Sequence, residues 1–206
     1  MKNVHPYTEV NEALKSLDNG GRFYNLLTQA EDGVISQAEL GKTGGLFSDI
    51  QRMILFLEVS ISKLNQDEKD LVVSKLDDDL KANYLKYKTQ HLLPSEVEEQ
   101  GIVSSNLILT GVPKLIDSKS DFNGFIMVPN MVGGVTTFSL IPLIDQYDVY
   151  ELRDEQTSES FIIAHSKTSE KLPNKKIIVA GVLKTLETDK TVSKPRFLET
   201  LYTVQD

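Results

Sequence analysis

The chain has 206 residues, 40% of them hydrophobic and 25% charged, with 22 Lys and Arg against 30 Asp and Glu for a net charge of −8. That is an ordinary globular composition, long enough for one large or two modest domains. There is no cysteine, which excludes disulfides, thiolate metal sites and cysteine nucleophiles and suits a cytoplasmic setting.

Residues 1–100 carry 11 basic against 17 acidic side chains, net −6, and residues 101–206 carry 11 against 13, net −2. Long-range repulsion therefore works against nucleic-acid phosphates and anionic lipid. The opening MKNVHPYTEVNEAL has no apolar core of a signal peptide. No later window approaches the ~18 consecutive apolar residues that mark a membrane span, so neither export nor a membrane partner is expected.

Apolar spacing is helical from Thr8 to about Gln90. Two short helices are expected near 8–17 and 22–29, with DNGG at 18–21 as the turn between them. The stretch DGVISQAELGKTGG, Asp32 to Gly45, then offers two motifs at once. With Gly33 set at the sixth position of a calcium loop, Asp32, Ile35, Ser36 and Glu39 occupy the fifth, eighth, ninth and twelfth with suitable residue types. Thr28 and Ala30 stand at the first and third, where a hard cation needs carboxylate or amide oxygens. Residues of about 20–45 thus resemble a degenerate EF-hand helix-loop-helix, with Asp32 and Glu39 as weak calcium candidates and no bound metal or other cofactor expected. SQAELGKT matches a phosphate loop at Gly41, Lys42 and Thr43 but has Ser36 for the first glycine and no preceding strand. The simpler expectation is helix punctuation: a turn at Gly33, a buried Ile35, a capping box from Ser36 to Glu39, and a stop at the GKTGG glycines.

SDIQRMILFLEVSISKL places Ile50, Met53, Ile54, Leu57, Ile61 and Leu64 on one face, with Ser48 and Gln51 as the expected start. NQDEKDLVVSKLDDDLKANYLKYKTQ reads as one further helix, capped by Asn65 and Glu68, with Val73, Leu76, Leu80, Tyr84 and Tyr87 in a stripe and Asp77–Asp79 on a solvated face. Pro94 closes the helical part, giving an α-helical domain at 1–94 and a second domain at 95–206.

After Pro94 the runs are short and β-type: NLILTGVPKLI, TFSLIPLIDQYDVYEL, ESFIIAHS, KKIIVAGVLKTL and RFLETLYTV. They are rich in β-branched and aromatic residues and separated by polar connections, which argues for antiparallel strands, and a closed barrel would remove their edges. Gly111 and Gly181 mark the expected bulges or corners. With its long first connection and long second run, residues 102–205 resemble an OB-fold barrel. The connection KTSEKLPN, however, is too short for the helix that often joins the third and fourth strands. The fold class is therefore α+β, an N-terminal all-α domain followed by a small antiparallel five-stranded β-barrel.

The OB resemblance implies ligands across the second and third strands and around the last connection. The matching positions are Tyr147, Tyr150, Arg153, Phe161, Lys184, Lys194 and Arg196, with His165 on the third strand and Lys190 near the last. The long connection DSKSDFNGFIMVPNMVGGVTT adds Phe122, Phe125, Met127 and Met131, more apolar side chains than a solvated loop needs. His5, His91 and His165 show no metal-ligand spacing, and no nucleophile elbow occurs. The expected function is a non-catalytic cytoplasmic binding or adaptor module, engaging a partner protein or small ligand through the barrel or its long apolar loop. Single-stranded nucleic-acid binding is the competing reading, disfavoured by net charge, and a hydrolase or nucleotide-using enzyme the third.

Overall fold

The computed structural model of the protein describes residues 2–20, 31–46, 48–116, 124–132, 135–155, 157, 159–186 and 196–204, and over 126–140 the backbone alone. Among them the fold is α+β, with seven helices and a closed five-stranded β-barrel. The chain divides into two compact units, Val4–Thr89 and Met1–Asn3 with Gln90–Asp206. The sequence boundary at Pro94 lies inside the second.

Strand β1 is Lys2–Asn3 and belongs to the second unit. In the helical unit, α1 spans Val10–Leu17 and buries Ala13 and Leu17. The helix expected near 22–29 lies outside the described residues. Helix α2, Gln37–Gly44, forms as its punctuation requires: Ser36 and Glu39 make a reciprocal capping box, Ile35 is fully buried, and Gly45 ends it at φ 70°. That left-handed conformation is one a glycine adopts without steric cost.

Helix α3, Ile50–Ser60, starts one residue later than its spacing suggests, because Asp49 rather than Ser48 accepts from Arg52 N at 3.0 Å. Leu55 and Phe56 are buried together with Met53, Ile54 and Leu57, so the helix is enclosed on more than one side. The single long helix expected after Asn65 is two. Helix α4, Gln66–Ser74, uses the Asn65–Glu68 capping box, and α5, Asp78–Lys86, restarts at Asp77, whose carboxylate accepts from Leu80 N at 2.7 Å. The break has a visible cause. Ile35 N donates to Lys75 O at 2.7 Å and Asp77 N to Ile35 O at 2.9 Å, so backbone groups that a continuous helix would use are bound to the α2 corner. Asp78 and Asp79 are exposed as expected, but the Asp77–Asp79 run is a cap and a first turn, where the helix dipole favours carboxylates, and not the middle of a helix.

The second unit continues with β2 at Gln90–Leu92, a 3-10 turn at Pro94–Glu96 and α6 at Val97–Gln100. Strand β3, Asn106–Leu115, is followed by β4, Phe125–Val132, and β5, Val135–Pro142. Helix α7, Leu143–Gln146, then leads into β6, Tyr147–Arg153, and β7, Ser160–Ser166, β8, Ile177–Thr185, and β9, Arg196–Val204, complete the set. The barrel closes in the order β3, β6, β7, β9, β8 and back to β3, antiparallel except between β7 and β9.

Strand β3 pairs with β8 up to Gly111 and with β6 from Val112 onward. A Cβ on Gly111 would lie 2.5 Å from Arg153 O, so the change of partner needs glycine. Gly181 sits at the register shift between β8 and β9, the irregularity read at both positions from sequence. Strands β1 and β2 add parallel to β9 and β3.

The run TFSLIPLIDQYDVYEL is not one bent strand. Its first part, β5, pairs only with β4 in a separate two-stranded sheet, and its last part, β6, joins the barrel. Pro142, which fixes its own φ and has no N–H, ends β5 at the N-cap of the intervening α7 and separates the two. The long connection therefore folds as an added hairpin.

The barrel core packs Leu107, Leu109, Leu152, Ile163, Val179 and Leu198. Val97 of α6 and Leu172 of the β7–β8 connection pack into it as well. The connection holds no helix, and Leu172 supplies the apolar filling in its place.

Candidate functional site

The acidic corner of the helical unit is built from Asp18, Asp32 and Glu39. Glu39 is 2% exposed, and its carboxylate accepts from Ser36 N and Ser36 Oγ at 2.8 Å each and from Gly20 N at 2.7 Å. Asp18 accepts from Gly33 N at 2.8 Å and Asp32 N at 3.3 Å, and Asp32 from Val34 N at 2.9 Å. These oxygens hold the turn. Thr28 and Ala30 lie outside the described residues. Lys42 donates to Asn19 O at 2.9 Å, and Gly41, Lys42 and Thr43 lie within α2, so they do not form the open backbone loop that phosphate binding needs.

On the barrel, strand alternation sorts the sequence candidates. Tyr150 and Phe161 are 2% and 3% exposed and belong to the core, which removes them from any surface stacking platform. Tyr150 Oη accepts from Leu172 N at 3.2 Å, and its ring meets His165 edge-on, centroids 6.0 Å apart. His165 is fully buried. Its Nε2 donates to Glu170 O at 2.7 Å, because a carbonyl only accepts. Burial pushes its pKa below the ordinary histidine value, against the opposing pull of the Glu170 carbonyl and the Asp148 charge.

The outward candidates are bound to acids. Tyr147 donates to Glu199 Oε1 at 2.7 Å, and Lys184 pairs with Glu199 Oε2 at 2.6 Å. Arg153 pairs with Glu151 at 3.0 Å. Arg196 pairs with Glu98 at 3.0 Å, donates to Gly101 O at 2.8 Å and to Glu98 O, and so ties β9 to α6. Lys190 and Lys194 lie outside the described residues. The acids Glu98 and Glu199 escape a search for cations and aromatics. For Glu199, the alternation of RFLETLYTV was the available signal, since it puts the glutamate on the opposite face from core Leu198.

The outer wall around Tyr147 is also covered by the protein's own side chains. Leu143, Val149, Ala164, Leu186 and Phe197 form a second buried cluster, against which Tyr147, Ile144 and Ile162 pack. This apolar cluster covers part of the strand pair on which the OB resemblance places a ligand.

The hairpin is the remaining candidate. Phe122 lies outside the described residues, Phe125 is half-buried, and Met127 and Met131 are placed on β4 by their backbone. The ladder runs from Phe125 opposite Pro142 to Val132 opposite Val135. From Phe122 to Ile144 the sequence has no Asp, Glu, Lys or Arg. Neither hairpin strand pairs with a barrel strand.

No protein-family pattern matches the chain, and no curated protein matches it significantly. Among the described residues no group of three or more His, Asp or Glu is placed to hold a metal ion, and no helix is long and apolar enough to cross a membrane.

Proposed function

We propose that the protein is a non-catalytic cytoplasmic binding module that engages a partner protein through the β4–β5 hairpin. The observation that carries the reading is an uncharged hairpin that pairs with no barrel strand, in a chain of net charge −8. A contiguous apolar segment rimmed by charge is the usual chemistry of a protein-docking surface. The cysteine-free sequence suits the reducing compartment named.

The barrel wall favours this reading over single-stranded nucleic acid. A nucleic-acid groove combines exposed aromatics with unopposed cations. Here Tyr150 and Phe161 are core, and Arg153, Lys184 and Arg196 each face a glutamate.

The test is affinity capture from native lysate with the wild-type chain and with Met127→Lys combined with Leu140→Lys, which alters one cross-strand pair. Exposed Lys176→Ala serves as the control. Proteins captured by wild type and control but lost with the hairpin variant support the reading. The same captured set from all three refutes it.

A further inference from the structure

We infer that the outer edge of β5 pairs with the same edge of a second copy of this chain, antiparallel about Phe138, to make one four-stranded sheet. The inference rests on the hairpin being the docking element and names what docks there.

The hydrogen-bond parity of the hairpin can be read from one contact. Leu143 N donates to Gly124 O at 2.8 Å, one step beyond the Phe125–Pro142 pair. In an antiparallel ladder, hydrogen-bonded and non-hydrogen-bonded pairs alternate. Gly124–Leu143 is therefore followed by hydrogen-bonded pairs at Ile126–Ile141, Val128–Ser139, Asn130–Thr137 and Val132–Val135. The intervening residues turn their backbone N and O to the outside: Phe125, Met127, Pro129 and Met131 on β4, and Thr136, Phe138, Leu140 and Pro142 on β5.

The two edges then differ. At the middle of the β4 edge stands Pro129, which has no N–H and interrupts any added ladder. On β5 the only proline, Pro142, lies at the base, and Thr136, Phe138 and Leu140 leave three successive N–H and C=O groups facing outward. No other described strand takes them. An open uncharged edge of this kind is a template for another strand, and natural edges are normally guarded by charge or proline. This chain guards one edge and leaves the other.

A second copy fits for two reasons. The edge is self-complementary: with Phe138 opposite Phe138 of the other copy, Thr136 meets Leu140 and Leu140 meets Thr136. Each of the three pairs exchanges two bonds, about six in all. Such an isologous contact closes after two copies. Charge points the same way. Two chains of −8 repel each other over most of their surface, whereas Phe122–Ile144 is their longest segment without an ionised side chain.

The full chain, which has no native cysteine, permits a clean test. Phe138 residues paired across the two-fold would have Cα atoms about 5.5 Å apart, within disulfide range. Under mild oxidation Phe138→Cys should form covalent dimer at least ~10-fold faster than Met127→Cys on the guarded edge. In sedimentation equilibrium the unmodified chain should dimerise. Leu140→Pro, which removes an outward N–H from β5, should weaken dimerisation at least ~10-fold, while Met127→Pro, its cross-strand neighbour, should not. Circular dichroism checks that the variants fold, and the cysteine comparison stands even if a proline variant does not. A chain that stays monomeric with equal cross-linking at both sites overturns the inference, as does equal loss from both prolines. Binding to phosphatidylcholine vesicles without self-association overturns it too. A monomer that still captures a different protein through the hairpin would overturn this inference alone and leave the docking reading standing.

Discussion

Replacing Gly111 by alanine tests whether the barrel depends on a close approach at the point where β3 exchanges β8 for β6. The new methyl would start 2.5 Å from Arg153 O and 3.0 Å from Leu152 Cγ, with Arg153 C at 3.2 Å. A relaxed carbon-oxygen contact is about 3.3 Å or more, so the two strands must part by ~0.8 Å at that level. Ladder bonds of about 2.9 Å then stretch beyond hydrogen-bond range. Losing the two nearest costs about 2 kcal/mol. Strain from the overpacked methyl adds ~1–3 kcal/mol, for a total of about 3–5 kcal/mol against a typical stability of ~5–15 kcal/mol. The sign is diagnostic, since a strand glycine without such a contact gains about 0.5–1 kcal/mol on becoming alanine. Hydrogen exchange read by mass spectrometry separates the units: Gly111→Ala should lower protection in 106–115 and 147–153 and leave 50–60 unchanged. Equal or higher protection in the two strands would refute the reasoning.

Glu39→Ala should destabilise the helical unit by about 2–4 kcal/mol in urea denaturation, because it removes the capping box and the carboxylate that accepts from Gly20 N; a change below ~0.5 kcal/mol would count against the buried carboxylate as the clasp of that corner. Tyr150→Phe should cost ~1–2 kcal/mol by leaving Leu172 N without its acceptor, and unaltered thermal stability would contradict it. His165 gives a pH dependence. The unfolded imidazole takes up a proton near pH 6.5, whereas burial holds the folded one lower. The unfolded state therefore binds more protons in that window. Its contribution is fully present above about pH 6.5 and is lost as pH falls toward the folded value, with a limiting slope of ~1.4 kcal/mol per pH unit. His165→Gln should flatten the fall in melting temperature on acidification, and an unchanged slope would place its origin elsewhere.

What could be read from sequence was local. Ser36, Glu39 and Gly45 specify their own helix ends, because a cap needs only residues three or four apart. The alternating runs from Asn106 to Val204 likewise announce strands, and the glycines at 111 and 181 announce their irregularities. Long-range partners left no such trace. Leu76 continues a helical stripe so well that the break at Lys75–Asp77 is hidden; only the bonds to Ile35, forty residues away, reveal it. Tyr147 and Tyr150 look equivalent on paper, yet one residue of register decides that the first is on the outer wall and the second in the core. Val97 and Leu172 lie in no alternating run, so nothing local marks them as core until the barrel that they fill is in view.

The assignment of Lys2–Asn3 and Gln90–Leu92 to the same unit as the barrel has a consequence for biosynthesis. Val4–Thr89 is a compact unit whose bridge of Ile35 with Leu76 lies within it, so it can fold before the barrel strands are made. The barrel must wait. Its last strand must join β7 and β8, and β1 finds its partners only when Tyr202 and Thr203 emerge. Strand β1 is therefore made long before its partner β9 and is among the last strands of the barrel's unit to be placed, and the cost of that closure delays the barrel relative to the helices. A ribosome-stalled chain ending near residue 130 should hold a folded helical unit while the barrel is unformed and the segment from Phe122 onward is still inside the exit tunnel.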